Sequence, residues 1–189
     1  LQPNAPGEHL YTSQTHPYFR APHIYIATPT RFVAERGSST EILFMTTRAG
    51  ANSYQRPFNE AWIRPGTDPA RWGNRSNYVA LNVVPTGPEE MSVYHASSGY
   101  RYVLRTDGFA SVNAPYKGGE MTSKPLIFEG SELVMNYSTA ATGNIRIEIQ
   151  DEEGKPISGF GIGDCPEIVG DSIGQTISWA KGCEIGRLS

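Results

Sequence analysis

The sequence is poor in the residues that most directly declare a chemistry. Two cysteines and four histidines stand in 189 residues. Cys165 and Cys183 lack a CxxC spacing, and His9, His16, His23 and His95 are not grouped on one element, so a zinc site has no footing. A bridge between the two cysteines and a pair of free thiols both stay open, because disulfide geometry does not follow from spacing. Charge of one sign is not in excess either. With 16 basic and 19 acidic residues the formal charge is −3, which supplies no basic footprint for nucleic acid and no polybasic patch for a membrane surface. No apolar run approaches the ~18 residues of a membrane span, and no signal-peptide pattern opens the sequence. The glycines sit in turn contexts, so neither a phosphate-cradling loop, a strand-to-helix GxSxG elbow nor an HExxH helix is expected.

What is plentiful is punctuation. Twenty glycines and 14 prolines accompany 38% apolar and 11% aromatic residues, the composition of many short strands joined by turns. The length leaves room for one large or two small domains with a genuine core. Residues 1–16 are polar and read as an arm, with a short strand start only at Leu10 and Tyr11. A strand over 23–27 is stopped by Pro29, Phe32 and Val33 continue it past the kink, and 35–40 is a polar loop. Residues 41–66 then read as an antiparallel hairpin, with apolar runs at 42–45 and 61–63 around a turn-rich 49–53. Asp68 before Pro69 is the signature of a capped helical turn over 69–72. Strands follow at 79–84 and 91–95, and composition shifts at 96–99, where a boundary separates a domain of 1–96 from one of 97–189.

Beyond that boundary the pattern of short strands continues. Its clearest member is 144–150, where Ile145, Ile147 and Ile149 share one face and Arg146 and Glu148 the other. About seven such strands suggest an antiparallel sandwich. The expected fold class is all-β, a partial β-propeller of blade-like antiparallel hairpins followed by an antiparallel β-sandwich.

The densest grouping of functional side chains is Arg48, Arg56, Glu60 and Arg64, near the strand ends of the 41–66 hairpin. Glu60 is the candidate general acid. Its apolar neighbour Trp62 favours the protonated form while Arg56 and Arg64 favour the ionised one, and an ion pair with Arg48 or Arg64 is the ordinary fate of such a residue. Sugar binding without catalysis asks only for aromatic faces and fixed polar groups, which Arg20, His23, Arg48, Tyr54, Trp62 and Arg64 provide, with Tyr18 and Trp72 beside them. Taken singly, an aromatic is more often core than platform, and His23 on a strand is more often structural than a ligand. The acidic turn 151–153 and the trio Asp164, Glu167 and Asp171 offer oxygen ligands for calcium, but a solvated turn is the plainer account, so no cofactor or metal is assigned.

The strings PYFRAPHIYI, FMTTR, NEAWIRPG, RSNY, VVPTGPEEMSVY, YVLRTDGFASV and ELVMNYSTAATGNIRIEIQDEEGKPISGF together carry a family likeness. The chain resembles planctomycete-type bacterial proteins related to the five-bladed β-propeller glycosidases of families 32 and 43, over nearly all of residues 1–189. The resemblance implies a glycoside hydrolase-like, secreted or periplasmic protein with a C-terminal β-sandwich, binding and hydrolysing a glycan or oligosaccharide. A propeller is longer than the stretch before residue 97, so the resemblance also implies that only the last part of such a protein is present. In the related sucrose-cleaving enzymes an Arg-Asp-Pro motif supplies an acid that steadies the transition state; the similar Arg20-Ala21-Pro22 has alanine there. Hydrolysis needs two carboxyl groups, and only Glu60 is nominated. A non-catalytic carbohydrate-binding or structural β module is therefore the alternative, and the oligomeric state is left open.

Overall fold

The computed structural model describes residues 8–73 and 76–188, the side chain of Arg187 excepted. Residues 1–7 of the expected 1–16 arm and the first residue of the RSNY string lie outside them. Among the described residues the chain is all-β, with short 3-10 turns at Ala34–Arg36, Pro69–Trp72 and Gly186–Leu188. Among the described residues no helix is long and apolar enough to cross a membrane. Eleven strands of the described residues form four small antiparallel sheets: β1 (His9–Leu10), β2 (His16–Tyr18), β3 (Ala21–Ala27), β4 (Thr30–Val33), β5 (Ser39–Ile42), β6 (Met45–Arg48), β7 (Val84–Pro85), β8 (Glu90–Tyr94), β9 (Arg101–Arg105), β10 (Val134–Ser138) and β11 (Asp171–Thr176).

The chain divides into two compact units, Leu1–Ala110 and Ser111–Ser189. The division expected after residue 96 falls inside a hairpin, because β9 pairs along its whole length with β8, from Glu90 opposite Arg105 to Tyr94 opposite Arg101. A run of small residues at 96–99 marks the turn of that hairpin rather than a linker, with Gly99 at φ 74° where a side chain would strain the backbone.

In the first unit the sheets run β1-β4-β5, β2-β3-β6 and β7-β8-β9. The prolines act as punctuation: Pro29 closes β3, and the chain re-enters at Thr30 as β4 in a different sheet. One buried cluster gathers Tyr18, Ile26, Ile42, Phe44, Met91 and Val93 from all three sheets, with Trp62 and Phe109 packed against it. Phe44 stacks on Phe109 at 5.1 Å, and Trp62 lies 5.7 Å from Phe44 and 6.1 Å from Phe109. The 41–66 hairpin exists in thinned form. Ile42 bridges Ile63 and Thr46 bridges Gln55, both antiparallel, with Ile42 N–H donating to Ile63 O at 3.0 Å and Trp62 N–H to Ile42 O at 2.7 Å.

In the second unit β10 and β11 pair antiparallel around a bulge between Met135 and Tyr137, and single bridges join Ile145 to Ile168 and Gln150 to Pro156. Phe160, Cys165, Ile177, Trp179 and Ile185 are its buried centre, with Ile147 and Ile149 packed on it. The isoleucine face of 144–150 therefore points to core, and Arg146 on the other face pairs with Glu167 at 3.0 Å. The Trp179 indole N–H donates to Ile147 O at 2.9 Å, tying a large ring to a segment held by bridges alone.

Candidate functional site

The first unit carries an open cleft of about 620 Å³ beside sheet β1-β4-β5. Its floor is a cluster of charges that alternation puts on one face: Arg31 of β4 stands opposite Glu41 of β5 in the ladder and opposite Leu10 of β1, and Glu8, two residues from Leu10, falls on the same face. The Arg31 guanidinium donates through Nε to Glu41 at 2.6 Å and through Nη1 to Glu8 at 2.5 Å. Arg56 reaches the same Glu8 carboxylate with both Nη1 and Nη2, the latter at 3.1 Å. Glu41 and Arg56 are buried, and Glu8 and Arg31 keep only 11% and 16% of their side chains exposed. Two acids thus face two guanidiniums in near-planar hydrogen-bonded pairs, the geometry in which buried charge is tolerated.

Burial opposes the charge of Glu8, but the hydrogen bonds and positive charges of Arg56 and Arg31 outweigh it and hold its carboxyl below the usual range. Arg31 is shifted upward by the mirror balance, burial working against it and Glu8 and Glu41 prevailing.

The cluster also shapes the wall of the cleft. Both arginines donate to the carbonyl of Asn59, Arg31 at 3.1 Å and Arg56 at 2.9 Å, and Arg56 Nε donates to Phe58 O at 3.2 Å. The residue that follows is Glu60. Its backbone is clamped from beneath while its side chain is exposed and, among the described residues, has no hydrogen bond or ion pair. Arg64 lines the same cleft, also exposed and without a partner among the described residues. Arg36, from the 3-10 turn after β4, has 63% of its side chain exposed and one distant contact, 3.9 Å to Glu41.

Trp72 completes the lining. Asp68 accepts the Ala70 N–H at 3.0 Å and Pro69 takes the first helical position, the capped turn that the sequence announces. That turn presents an indole 46% exposed, whose N–H donates to Gly66 O at 2.9 Å and fixes the ring. Gly66 makes the approach at φ 79°, a backbone conformation that glycine adopts without strain. Beside it, Arg71 is held by Asn77 Oδ1 at 2.8 Å and lies 5.6 Å from the ring centres of both Tyr100 and Tyr102, so the turn is pinned from behind.

Of the residues singled out in sequence, the cleft brings together Glu60 and Arg64, with Trp72. The others lie elsewhere. Trp62 is core, against Phe44 and Phe109. Arg20 pairs with Asp107 at 3.3 Å, and Asp107 also accepts the Tyr18 hydroxyl at 2.5 Å; burial and that carboxylate together push the Tyr18 pKa upward. Tyr54 shares a hydrogen bond with Thr15 at 2.9 Å, and His23 and Arg48 are exposed on sheet β2-β3-β6. The ion pair expected between Glu60 and Arg48 or Arg64 is not formed. Missing from the sequence reading are Glu8, Arg31 and Glu41, whose signal is the short hairpin that sets residue 31 across from residue 41.

The second unit offers little that converges. Both cysteines are free thiols, Cys165 buried and Cys183 half-buried. Among the described residues no group of three or more His, Cys, Asp or Glu side chains is arranged for a metal ion; Glu167 goes to Arg146, and Asp164 accepts the Gly161 N–H at 3.2 Å. Residues 170–174 spell GDSIG, a match to the GxSxG string where no such elbow is expected from the sequence. Ser172 lies within β11 opposite Tyr137, not on a strand-to-helix turn, and no histidine occurs after His95, so the string makes no nucleophile elbow in this unit.

Compared with protein-family models, with curated proteins and with solved structures, the chain matches none.

Proposed function

We propose that this is a carbohydrate-binding β protein of the glycosidase-like kind, blade-like hairpins followed by a sandwich-type unit, whose ligand lies in the Trp72, Glu60 and Arg64 cleft. The observation that carries the proposal is a fixed, half-exposed indole sharing a concave site with two charged side chains that have no partner among the described residues. A sugar ring offers an apolar face to an aromatic and hydroxyls to charged hydrogen-bonding groups, and both are supplied side by side here.

Binding is favoured over hydrolysis by the state of the carboxylates. Two acids line the cleft, Glu41 and Glu60, but Glu41 is buried against Arg31 and already engaged. Hydrolysis asks for a carboxyl pair free to exchange protons across the scissile bond, and Glu60 stands without such a partner. The module is thus the non-catalytic alternative, with the resemblance to glycosidases lying in its ancestry and in its ligand.

Titration calorimetry with a panel of neutral and acidic oligosaccharides tests this. Trp72→Ala is expected to weaken binding about tenfold or more, as loss of a central aromatic anchor does, while lowering the melting temperature by only a few degrees, because the ring is about half exposed and one N–H bond to Gly66 O is lost. Wild-type turnover of a bound oligosaccharide that Glu60→Gln abolishes would replace binding by hydrolysis. Failure of every glycan to bind would remove the proposal.

A further inference from the structure

The charge left over in the cleft goes further than its shape. Glu8 and Glu41 balance Arg31 and Arg56 within the buried cluster, each guanidinium holding at least one short contact to a carboxylate. That leaves Arg36, Arg64 and Glu60 to face the opening. Two guanidiniums and one carboxylate give the accessible lining an excess positive charge, on a chain whose formal charge is −3. Arg36 touches Glu41 only at 3.9 Å, beyond hydrogen-bond reach, and Arg64 has no partner among the described residues. Guanidinium forks match planar or tetrahedral anionic groups in two-point contacts, and local excess of one sign draws the opposite sign from solution.

Resting on the carbohydrate reading above, we propose that the cleft selects an anionic sugar, a residue bearing a carboxylate or a sulfate ester. The anionic group lies between Arg36 and Arg64, the ring face is against Trp72, and Glu60 accepts a hydrogen bond from a ring hydroxyl. Each lining group then has a complementary part of the same ligand: Glu60 in particular suits a hydroxyl donor and repels a second anion. A neutral glycan would offer both guanidiniums hydroxyl oxygens but no anionic acceptor, the stronger partner of the two.

The test compares a galacturonate trimer, its methyl ester, and a galactose trimer carrying one sulfate, by titration calorimetry on the full chain at low and raised salt. The expected result is that one of the two anionic trimers binds at least about tenfold tighter than the methyl ester, with an advantage that shrinks as salt rises. Arg36→Gln and Arg64→Gln, both at exposed positions, should each lose about tenfold on that anionic trimer and so remove most of its advantage over the ester. Which anionic trimer is preferred assigns the carboxylate or the sulfate as the recognised group. Equal affinity for ester and anionic trimers, still lost in Trp72→Ala, would overturn the anionic assignment while leaving carbohydrate binding intact. Absence of binding by all three, and by the wider panel, would overturn both.

Discussion

Glu8→Gln is the perturbation that most directly probes how the cleft is built. The Glu8 carboxylate accepts from Arg31 at 2.5 Å and from Arg56 through two nitrogens, one at 3.1 Å, with 11% of its side chain exposed. Gln keeps the shape and one carbonyl acceptor but removes the charge, so two guanidiniums are left with Glu41 alone. Removing one partner of a buried ion pair costs roughly 3–5 kcal/mol, and the remaining carbonyl and partial exposure put the expected loss near the lower end, about 3 kcal/mol. At about 4 °C per kcal/mol for a unit of this size, the first unit should melt about 12 °C lower at neutral pH. The pH dependence has a fixed sign. The folded pKa of Glu8 lies below that of an ordinary glutamate, so its stabilisation is complete above the ordinary carboxylate range and is lost as pH falls through the folded pKa. The gap between wild type and Glu8→Gln is therefore widest near neutrality and closes in acid. Scanning calorimetry of the full chain measures it, with amide exchange at Ile42 and Ile63 as the local readout. Melting within about 2 °C of wild type at neutral pH, or a gap that does not narrow in acid, would refute the account of the cluster.

Other expectations concern the core and the thiols. Trp62→Ala should destabilise the first unit by about 3 kcal/mol, as truncation of a large core aromatic does, whereas Trp62→Leu should leave oligosaccharide affinity within about twofold because the ring packs on Phe44 and Phe109 outside the cleft. A binding defect in Trp62→Leu without loss of stability would return this residue to the ligand site. With an aromatic disulfide reagent, native protein should show one fast thiol, Cys183, and denatured protein two without added reductant, since Cys165 is 3% exposed and neither cysteine is bridged. No reactive thiol after denaturation would mean a disulfide.

Local signals carried well from sequence to structure. Proline and glycine punctuation foretold the breaks at Pro29 and Gly66, the Asp68 cap was legible from one dipeptide, and isoleucine alternation over 144–150 gave the buried face. Ranking the tryptophans was beyond it, because Trp62 and Trp72 have similarly mixed surroundings in sequence and differ only in whether Phe44 and Phe109 come to meet them. The floor of the cleft was hidden for the same reason. Glu8 and Arg56 are 48 residues apart, and only the cross-strand register from β1 through β5 brings their neighbourhoods together. The boundary near residue 96 was placed by a run of small residues, while the true unit limit depends on β9 finding β8 as its partner.

The segment carrying Glu8 works as a latch. Among the described residues it is fastened to the sheet by the two residue pairs of β1, by the Tyr11 N–H bond to Thr30 O at 2.8 Å and by Thr12 Oγ1, which accepts the Thr30 N–H at 3.1 Å, and its carboxylate is what joins the two arginines that grip Asn59. Fraying of so short a strand would take the Glu8 carboxylate from Arg56 and leave Arg31 with Glu41, loosening the grip on Asn59, so a ligand bound in the cleft as proposed would oppose that fraying. Cleavage of the backbone after Glu8 would therefore weaken the proposed ligand site without altering any residue that faces it.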